Sequence, residues 1–595
     1  MDSLRVRHQE RLDYWRAHAA REGKHGAWTI WARGLASVAL AAALVLASQV
    51  GLHGGFVALA GAALIASYAA ARTLERRHRN AERAVAFHEA GLDRLDGGVG
   101  SPRFDGEELL HANHPWARQL DLTGPRSLFA RLCSARTRIG ASTLLDWLLH
   151  PSDPATIASR RAAVEELRGR LDLREAWAIA GPAQLPHADP GAVAAWAREP
   201  GQLTGPWLGH LLRLVAAAVL VAPLGAALGW WPWLLVAGTL ALAGMAHLLL
   251  LGIVGPILAS AQATLGSSAP IGPLLALLER QSFSATALTS LVARLREDGD
   301  ASKRLVRLER SFSRIESLRH ELVGLMGYAL LWPSREARSI EQWRLRHGAK
   351  LAGWLEALGQ FEALLSIAGY ADEHPDNTFA ELLPTGPPSI EAEALGHPLL
   401  PLGRGVGNDL RLGSAGAPRL VLLSGANMAG KSTWLRSIGL AVAMAQAGVP
   451  VRARRLRLTP LSLGVSIDGG DSLLDGESRF MAELLRLRTI YTLAAEPTPT
   501  LFLVDELLSG TNPQDRIAGA GALLEGLISR GAIGLCSTHD LELTRLAERP
   551  DAGAANAHFA SELAGGRLSF DYRLRPGVVV RSNALDLMRS VGLEV

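Results

Sequence analysis

Residues 419–434 read RLVLLSGANMAGKSTW, and this stretch decides the fold of the C-terminal part of the chain. An apolar run typical of a buried strand leads directly into a GxxxxGK[ST] loop, and a helical pattern follows from Trp434 to Ala447. Glycines at such a loop let backbone N–H groups wrap a phosphate chain, and the dipole of the following helix favours the same negative charge. The sequence therefore predicts a nucleotide phosphate site within an α/β domain.

The loop supplies the predicted ATP-binding residues, which are Gly425, Ala426, Asn427, Met428, Ala429, Gly430, Lys431, Ser432 and Thr433. Lys431 is expected to reach the β- and γ-phosphates, and the Ser432 hydroxyl is expected to ligate Mg²⁺. Lysine occurs elsewhere only at positions 24, 303 and 350, so its retention in the loop fits a chemical role.

Two further apolar runs end in polar side chains suited to the same chemistry. Residues 500–504 are followed by Asp505, which suits Mg²⁺ directly or through a water, and by Glu506, which is placed to act as general base on a water. Residues 532–536 lead to His539, which is suited to sensing a γ-phosphate by hydrogen bond. Glu506, His539 and Lys431 are the predicted catalytic residues. The three strand-end elements together are typical of ABC-type ATPases.

Around these motifs the sequence resembles the MutS mismatch-repair ATPases. Asn427-Met428 is similar to the family's N-M-G-G-K-S-T loop, and residues 475–483, DGESRFMAE, look like its S-T-F-M-x-E signature. Asp505-Glu506 with residues 509–511 resembles D-E-I-G-R-G-T. Further matches lie at residues 396–398, 408–409, 572–577 and 582, and weaker ones extend the likeness over roughly residues 120–593.

The resemblance implies a homodimer in which each ATP lies between the loop of one subunit and the signature segment of the other. The signature residues expected to act across that interface are Ser478, Phe480, Met481 and Glu483. ATP binding would close the dimer, hydrolysis would release it, and helical arms would transmit the change to DNA. The sequence departs from the family pattern at Ala429, Arg479 and Leu508-Ser509, which puts signalling across the dimer in question.

No mismatch-reading N-terminal domain and no C-terminal dimerisation extension are visible in the sequence. We therefore expect a membrane-associated variant of the family without the mismatch-reading domain, whose dimer depends on ATP. Its expected function is ATP-gated DNA binding related to mismatch repair or to sensing of DNA structure. The formal net charge of +4 is too small to indicate nucleic-acid binding by itself.

Two pairs of apolar runs predict membrane hairpins. The first pair covers about residues 34–52 and 54–71, and each run is long enough to cross a bilayer. Arginines before and after this pair predict that both ends lie in the cytoplasm. The second pair, about residues 208–228 and 230–253, has a tryptophan-rich connector of the kind found at membrane interfaces. For the first pair, a signal peptide and a buried soluble hairpin are the alternatives.

The expected architecture is multidomain, with helical membrane hairpins, a helical core like the lever and core of MutS, and a C-terminal α/β ABC-type P-loop ATPase domain. The predicted boundaries are 1–100 for a basic N-terminus with the first hairpin, 101–205 and 257–388 for the core, 206–256 for the second hairpin, and 389–595 for the ATPase domain. We expect the protein in the inner, cytoplasmic membrane, with core and ATPase domains facing the cytoplasm.

Two other functions remain open at this point. One is half of an ABC transporter, which is opposed by the absence of an L-S-G-G-Q signature and by four predicted spans where six are usual. The other is a membrane-bound module that uses ATP as a switch without binding DNA. The two cysteines, at positions 133 and 536, have no metal-ligand spacing and predict no disulfide framework.

Overall fold

The computed structural model describes residues 2–50, 54–110, 114–180, 190–265, 271–319, 321–384, 386–401, 405–426, 428–467, 479–508, 512–549, 553–564 and 567–579. The helices are α1 (Asp2–Val50), α2 (Gly54–Leu95), α3 (Leu128–Leu132), α4 (Arg138–Leu149), α5 (Pro154–Arg168), α6 (Leu171–Ala180), α7 (Pro190–Ala197), α8 (Pro206–Ala227), α9 (Trp233–Leu265), α10 (Gly272–Glu279), α11 (Thr286–Arg296), α12 (Ala301–Ser317), α13 (Glu321–Ala329), α14 (Trp332–Glu373), α15 (Lys431–Ala447), α16 (Arg479–Leu493) and α17 (Pro513–Ser529). The strands are β1 (Glu381–Leu382), β2 (Ile390–Leu395), β3 (Asn408–Leu412), β4 (Leu420–Gly425), β5 (Arg455–Leu458), β6 (Ser462–Ser466), β7 (Thr500–Val504), β8 (Ile533–Ser537), β9 (Ala554–Ala564) and β10 (Arg567–Pro576).

The strands form two sheets, and the larger one positions the predicted site. Its order is β10-β9-β4-β8-β7-β6, with all neighbours parallel except the β9–β10 hairpin. Strands β4, β7 and β8 are buried along their whole length, as expected for uninterrupted apolar runs in a parallel sheet. Because these three strands are parallel and adjacent, their carboxyl ends meet at one edge. The smaller sheet has the order β1-β5-β2-β3.

Helix α14 is the spine of the helical part. Its 42 residues span about 63 Å, and it packs against α4, α5, α7, α11 and α12. The buried Glu362 carboxylate fixes its position by accepting hydrogen bonds from the backbone N–H groups of Arg136 (2.9 Å) and Thr137 (3.1 Å) and from the Trp177 indole (3.0 Å). The expected combination of a helical core with a C-terminal α/β domain is confirmed.

Helices α1 and α2 form one long antiparallel hairpin, and the described residues of the first predicted pair, 34–50 and 54–71, are its far part. The basic lead of residues 1–33 is helical and belongs to α1. Its arginines pair with acids from distant segments, as Arg11 does with Glu175 at 2.8 Å. At the same end of the hairpin, where α1 begins and α2 ends, the Nδ1 atoms of His8 and His88 lie 2.9 Å apart. Tertiary pairing therefore converts a stretch that reads as a polar lead into the packed base of the hairpin.

Of the described helices, two are long and apolar enough to cross a membrane, namely α8 and the Trp233–Thr264 part of α9. They correspond to the second predicted pair. In its most apolar window α8 is 39% buried, whereas α9 is only 6% buried, so the described part of the chain leaves most of α9 uncovered. Helix α9 continues through Pro256 to Leu265, because its last turns bury Ile257 and Ala261 against the core.

Candidate functional site

The loop after β4 owes its shape to two glycines. Gly425 has φ 147°, and a Cβ there would lie 2.9 Å from the Phe559 backbone oxygen. Gly430 has φ 101°, and a Cβ there would lie 3.2 Å from the Tyr572 ring. Both positions combine a backbone conformation unfavourable to other residues with close neighbours. The loop then delivers Lys431 as the first residue of α15.

The Lys431 side chain is buried and folded back onto the loop. Its Nζ donates to the backbone oxygens of Gly425 (3.0 Å) and Ala426 (3.2 Å). Burial lowers the pKa of this ammonium, while the nearby carboxylates of Asp505 and Glu506 act in the opposite direction. An ammonium has three donors and no acceptor, so an anion in this space would draw directly on these same N–H groups.

The two acids after β7 are held by Ser537, a residue that the sequence reasoning did not single out. Its hydroxyl donates to the Asp505 carboxylate and accepts from the Glu506 backbone N–H at 3.0 Å. The Asp505 N–H also donates to the Ser466 oxygen at 2.8 Å. Glu506 has φ 51°, a left-handed conformation that turns its side chain out of the strand direction. The only sequence signal for Ser537 is its place at the end of β8.

His539 completes the cluster. Its Nε2 lies 2.7 Å from Glu506 Oε1 and 3.4 Å from Lys431 Nζ. The ammonium has only protons to offer, and a carboxylate only accepts, so the short contact requires Nε2–H to donate to Glu506. The fold thus brings together the three side chains predicted to be catalytic, which come from the segments that follow three neighbouring strands.

A cavity of about 420 Å³ opens beside this cluster. Its polar lining comes from Gly430, Lys431, Ser432, Thr433, Ser437, Asn408 and Glu506, and its apolar and aromatic lining from His397, Leu400, Val406, Met428, Trp434, Phe559 and Tyr572. Burial lowers the pKa of His397 to about 4, with Arg436 and Arg452 adding to the effect, so this imidazole is neutral at pH 7. The cavity therefore offers both phosphate donors and a neutral, partly aromatic wall.

Asn408 holds the aromatic wall in place. Its Nδ2 donates to the Tyr572 oxygen at 2.9 Å, and its Oδ1 accepts from the Leu574 N–H at 2.8 Å. These bonds span an irregularity in the β9–β10 pairing at which Tyr572 has φ 54°. The Tyr572 ring is thereby directed at Gly430. In the sequence, Asn408 and Tyr572 stood out only as family matches, without a role.

The other predicted site residues, those of the signature segment and Asn427, are not seen in this cluster among the described residues. Asn427 and Ser478 lie outside the described residues. On α16, Phe480 is half-buried against the sheet and Met481 is exposed. Glu483, expected to act across a dimer interface, is buried and accepts a hydrogen bond from the Leu508 N–H of its own chain at 2.6 Å. Among the described residues, no group of three or more His, Cys, Asp or Glu side chains could hold a metal ion.

Comparison with known proteins places this site in a family. Residues 421–594 match the family model of MutS domain V. The chain is 31% identical over 263 residues to the DNA mismatch repair protein MSH6 of Arabidopsis thaliana, covering 42% of this chain and 20% of the relative. It is 34% identical over 243 residues to the DNA mismatch repair protein MutS 2 of Halobacterium salinarum, covering 40% and 27%.

A third relative is Endonuclease MutS2 of Thermus thermophilus, 37% identical over 198 residues, which are 33% of this chain and 25% of the relative. The matches thus span only a fifth to about a quarter of the length of these relatives. The match to the family model, residues 421–594, includes the phosphate loop, the Asp505-Glu506 pair and His539. The domain at residues 421–594 is therefore a MutS domain V, and through it the chain is similar to the MutS proteins.

Proposed function

We propose that the protein is a Mg²⁺-dependent ATPase of the MutS type, anchored in a membrane, whose ATP cycle gates binding to DNA. The observation that carries the ATPase assignment is the convergence of Lys431, Glu506 and His539 beside the cavity. A strand that merely ended in acidic residues would not require this meeting of a buried lysine, a carboxylate and an imidazole. The arrangement supplies a cation for phosphate, a base for water and a donor that can respond to a γ-phosphate.

The chain's residues have separable tasks in this proposal. Lys431 exchanges its two backbone acceptors for β- and γ-phosphate oxygens, which stabilises the bound anion. Glu506 accepts a proton from the attacking water, and its left-handed backbone keeps the carboxylate turned toward the loop. His539 donates from Nε2 to Glu506 and can transfer that hydrogen bond to a γ-phosphate oxygen. Loss of the γ-phosphate would return it to Glu506.

The donors present fit Mg²⁺ held mainly by the nucleotide. Ser432 and Asp505 offer hard oxygen ligands, and Mg²⁺ commonly takes one or two protein oxygens together with substrate phosphates. This agrees with the absence, among the residues described, of a larger acidic or histidine cluster. When bound, Mg²⁺ would neutralise charge on the phosphates. The Ser537 hydroxyl orients Asp505 for that role by donating to one of its oxygens.

The aromatic lining supports ATP as the nucleotide. A purine can stack on Tyr572, which is held over the loop by Asn408, while neutral His397 adds no charge to the wall. Met481 on α16 is exposed, which is compatible with a signature segment that meets a second copy. A homodimer with ATP between the Ser478 segment of one subunit and the phosphate loop of the other remains part of the proposal.

DNA binding is supported by the names of the relatives, two of which are DNA mismatch repair proteins and one an endonuclease. The test is binding of the detergent-solubilised protein to homoduplex, mismatched and branched DNA over a range of salt, with and without ATP. Binding that weakens with salt and changes with ATP supports the proposal. Failure to bind any of these DNAs at low salt refutes the DNA role and favours an ATP switch at the membrane.

Membrane anchoring is supported by the apolar residues that α9 and the far part of α1 and α2 leave uncovered. Leu235 and Leu249 on α9 are exposed, as are Leu35 on α1 and Ile65 on α2. Large apolar side chains exposed over a continuous surface are the property expected of helices solvated by lipid. The proposal therefore keeps both predicted hairpins in the inner membrane, with the helical core and ATPase domain in the cytoplasm.

The ATPase assignment is tested by Glu506→Gln. The variant should bind ATP as tightly as the natural chain, because glutamine retains an oxygen for His539, while hydrolysis should fall by about 10²- to 10⁴-fold. Glu496→Gln is the matched control, since Glu496 is an exposed acid before the same strand. Hydrolysis at the natural rate in Glu506→Gln would refute the general-base role.

A further inference from the structure

Helix α13 has its small residues inside and its large apolar residues outside. Gly324 and Gly327 are buried, and a Cβ on either would lie within 2.5 Å of Leu318. On the opposite side Leu325 is 75% exposed, Met326 62% and Tyr328 49%. A helix on the surface of a water-soluble domain turns its apolar stripe inward, so this distribution is inverted. The sequence pattern predicts only that this segment belongs to the helical core of residues 257–388.

The exposed side of α13 is continuous with the α8–α9 hairpin. Leu331, two residues after the end of α13, belongs to one buried apolar cluster with Leu212 and Val215 of α8 and Ala243 of α9. The Tyr328 ring contacts the His247 ring of α9, with centroids 5.3 Å apart. Helix α13 thus covers the polar side chain that interrupts the apolar sequence of α9. A histidine in a lipid-facing helix is stabilised by such cover within the protein.

Arginines lie close to this apolar surface in the chain. Arg213 follows Leu212 on α8 and is exposed, Arg319 lies two residues before the start of α13 and is exposed, and Arg335 lies one turn after Leu331 on α14. Cationic side chains beside exposed apolar ones are the composition of segments that sit at the headgroup level of a bilayer. The large apolar side chains on the outer side disfavour a nucleic acid as the occupant, because phosphate contacts call for cations at that position.

We infer that α13 is an interfacial helix that inserts Leu325 and Met326 into a phospholipid bilayer at the boundary of headgroups and acyl chains. It lies beside the point where α8 and α9 enter the membrane and packs against both α9 and α14. This inference rests on the proposed membrane anchoring by the α8–α9 hairpin. It adds a third contact with lipid and places the beginning of α14 at the membrane surface.

The test uses cysteine reporters in the full chain reconstituted into phospholipid nanodiscs. Both natural cysteines, Cys133 and Cys536, are buried, so a Leu325→Cys variant can be labelled selectively with an environment-sensitive fluorophore. Lipids that carry a spin label near the headgroup should quench this fluorophore. Its emission maximum should also lie at shorter wavelength than in the same labelled protein unfolded in water without detergent. Leu345→Cys is the control, since Leu345 is also exposed but lies about 20 Å further along α14, and it should not be quenched.

A reporter at Leu235→Cys on α9 separates the two levels of the proposal. Quenching at both 235 and 325 supports the inference. Quenching at 235 but not at 325 overturns the inference and leaves the α8–α9 anchor intact. No quenching at either position refutes membrane anchoring and the interfacial helix together. Energy transfer between labelled copies at 325, without quenching by lipid, would assign this surface to a contact between two chains and also overturn the inference.

Discussion

The Tyr572→Ala substitution tests how the cavity distinguishes a nucleotide from a bare phosphate chain. Stacking of a base on an aromatic side chain is worth about 1–3 kcal/mol when measured by alanine substitution. Tyr572 is 45% exposed and has only part of its ring available, so the lower part of that range applies. Since 1.4 kcal/mol corresponds to a factor of ten, the affinity for ATP should fall by about five- to tenfold.

The assay is equilibrium binding of ATP and of inorganic tripolyphosphate to the same purified variants. Tripolyphosphate contacts the loop around Lys431 but has no ring, so its affinity should not change in Tyr572→Ala. Arg573→Ala is the matched control, because Arg573 is an exposed neighbour on β10. Asn408→Ala should reproduce part of the loss for ATP by releasing the Tyr572 backbone. Equal weakening of both ligands in Tyr572→Ala would refute the assignment of this wall to the purine.

The Arg94→Ala substitution should lower the free energy of unfolding by about 3 kcal/mol, because it leaves the buried Glu373 carboxylate without its bidentate partner. Thermal melts against the exposed Arg76→Ala control measure this, and equal melting temperatures would contradict it. Burial by itself would raise the pKa of Glu373, but Arg94 and neighbouring cations lower it below 4.5. The stabilisation is therefore present above about pH 4.5 and is lost as the pH falls through the folded-state pKa of Glu373. The difference in melting temperature between the natural chain and Glu373→Gln should accordingly shrink on acidification. Gly425→Ala should weaken ATP binding by roughly tenfold, because the new Cβ would strain the backbone at φ 147° and contact a β9 oxygen. Gly521→Ala is the control, since Gly521 lies in open space on α17, and its ATP binding should not change. Unchanged ATP binding in Gly425→Ala would argue against that strain.

The sequence was most informative where chemistry is set by local order. A strand, a glycine loop and a helix in succession specify where Lys431 lies, and acids directly after an apolar strand specify where Asp505 and Glu506 lie. The meeting of these side chains with His539 then follows from three parallel strands that end at one edge. Ser537 could not be assigned its role, because its hydrogen bonds depend on the register between β7 and β8.

The sequence was least informative where long-range packing decides. The packing of the polar start of α1 could not be predicted, because its partners on α2 and α6 lie far along the chain and no local pattern reports them. The sequence did not show the inverted arrangement of α13, because the eight residues without charge that follow Glu321 do not reveal which side of the helix faces the protein. The motif predicts that Glu483 acts across a dimer interface, but no local pattern reports that its carboxylate accepts a hydrogen bond from the Leu508 N–H of its own chain.

Helix α14 is long enough that a small rotation at one end produces a large displacement at the other. At its C-terminal end, Glu373 is clamped by Arg94, and the neighbouring Arg131 donates both to the Gly97 oxygen at the end of α2 and to the Pro398 oxygen beside the nucleotide cavity. A rotation of about 5° about this end would displace the other end of the 42-residue helix by about 5 Å, since the helix is about 63 Å long. Sub-ångström adjustments around a phosphate would thus be amplified into motion of several ångströms at the foot of α8 and α9.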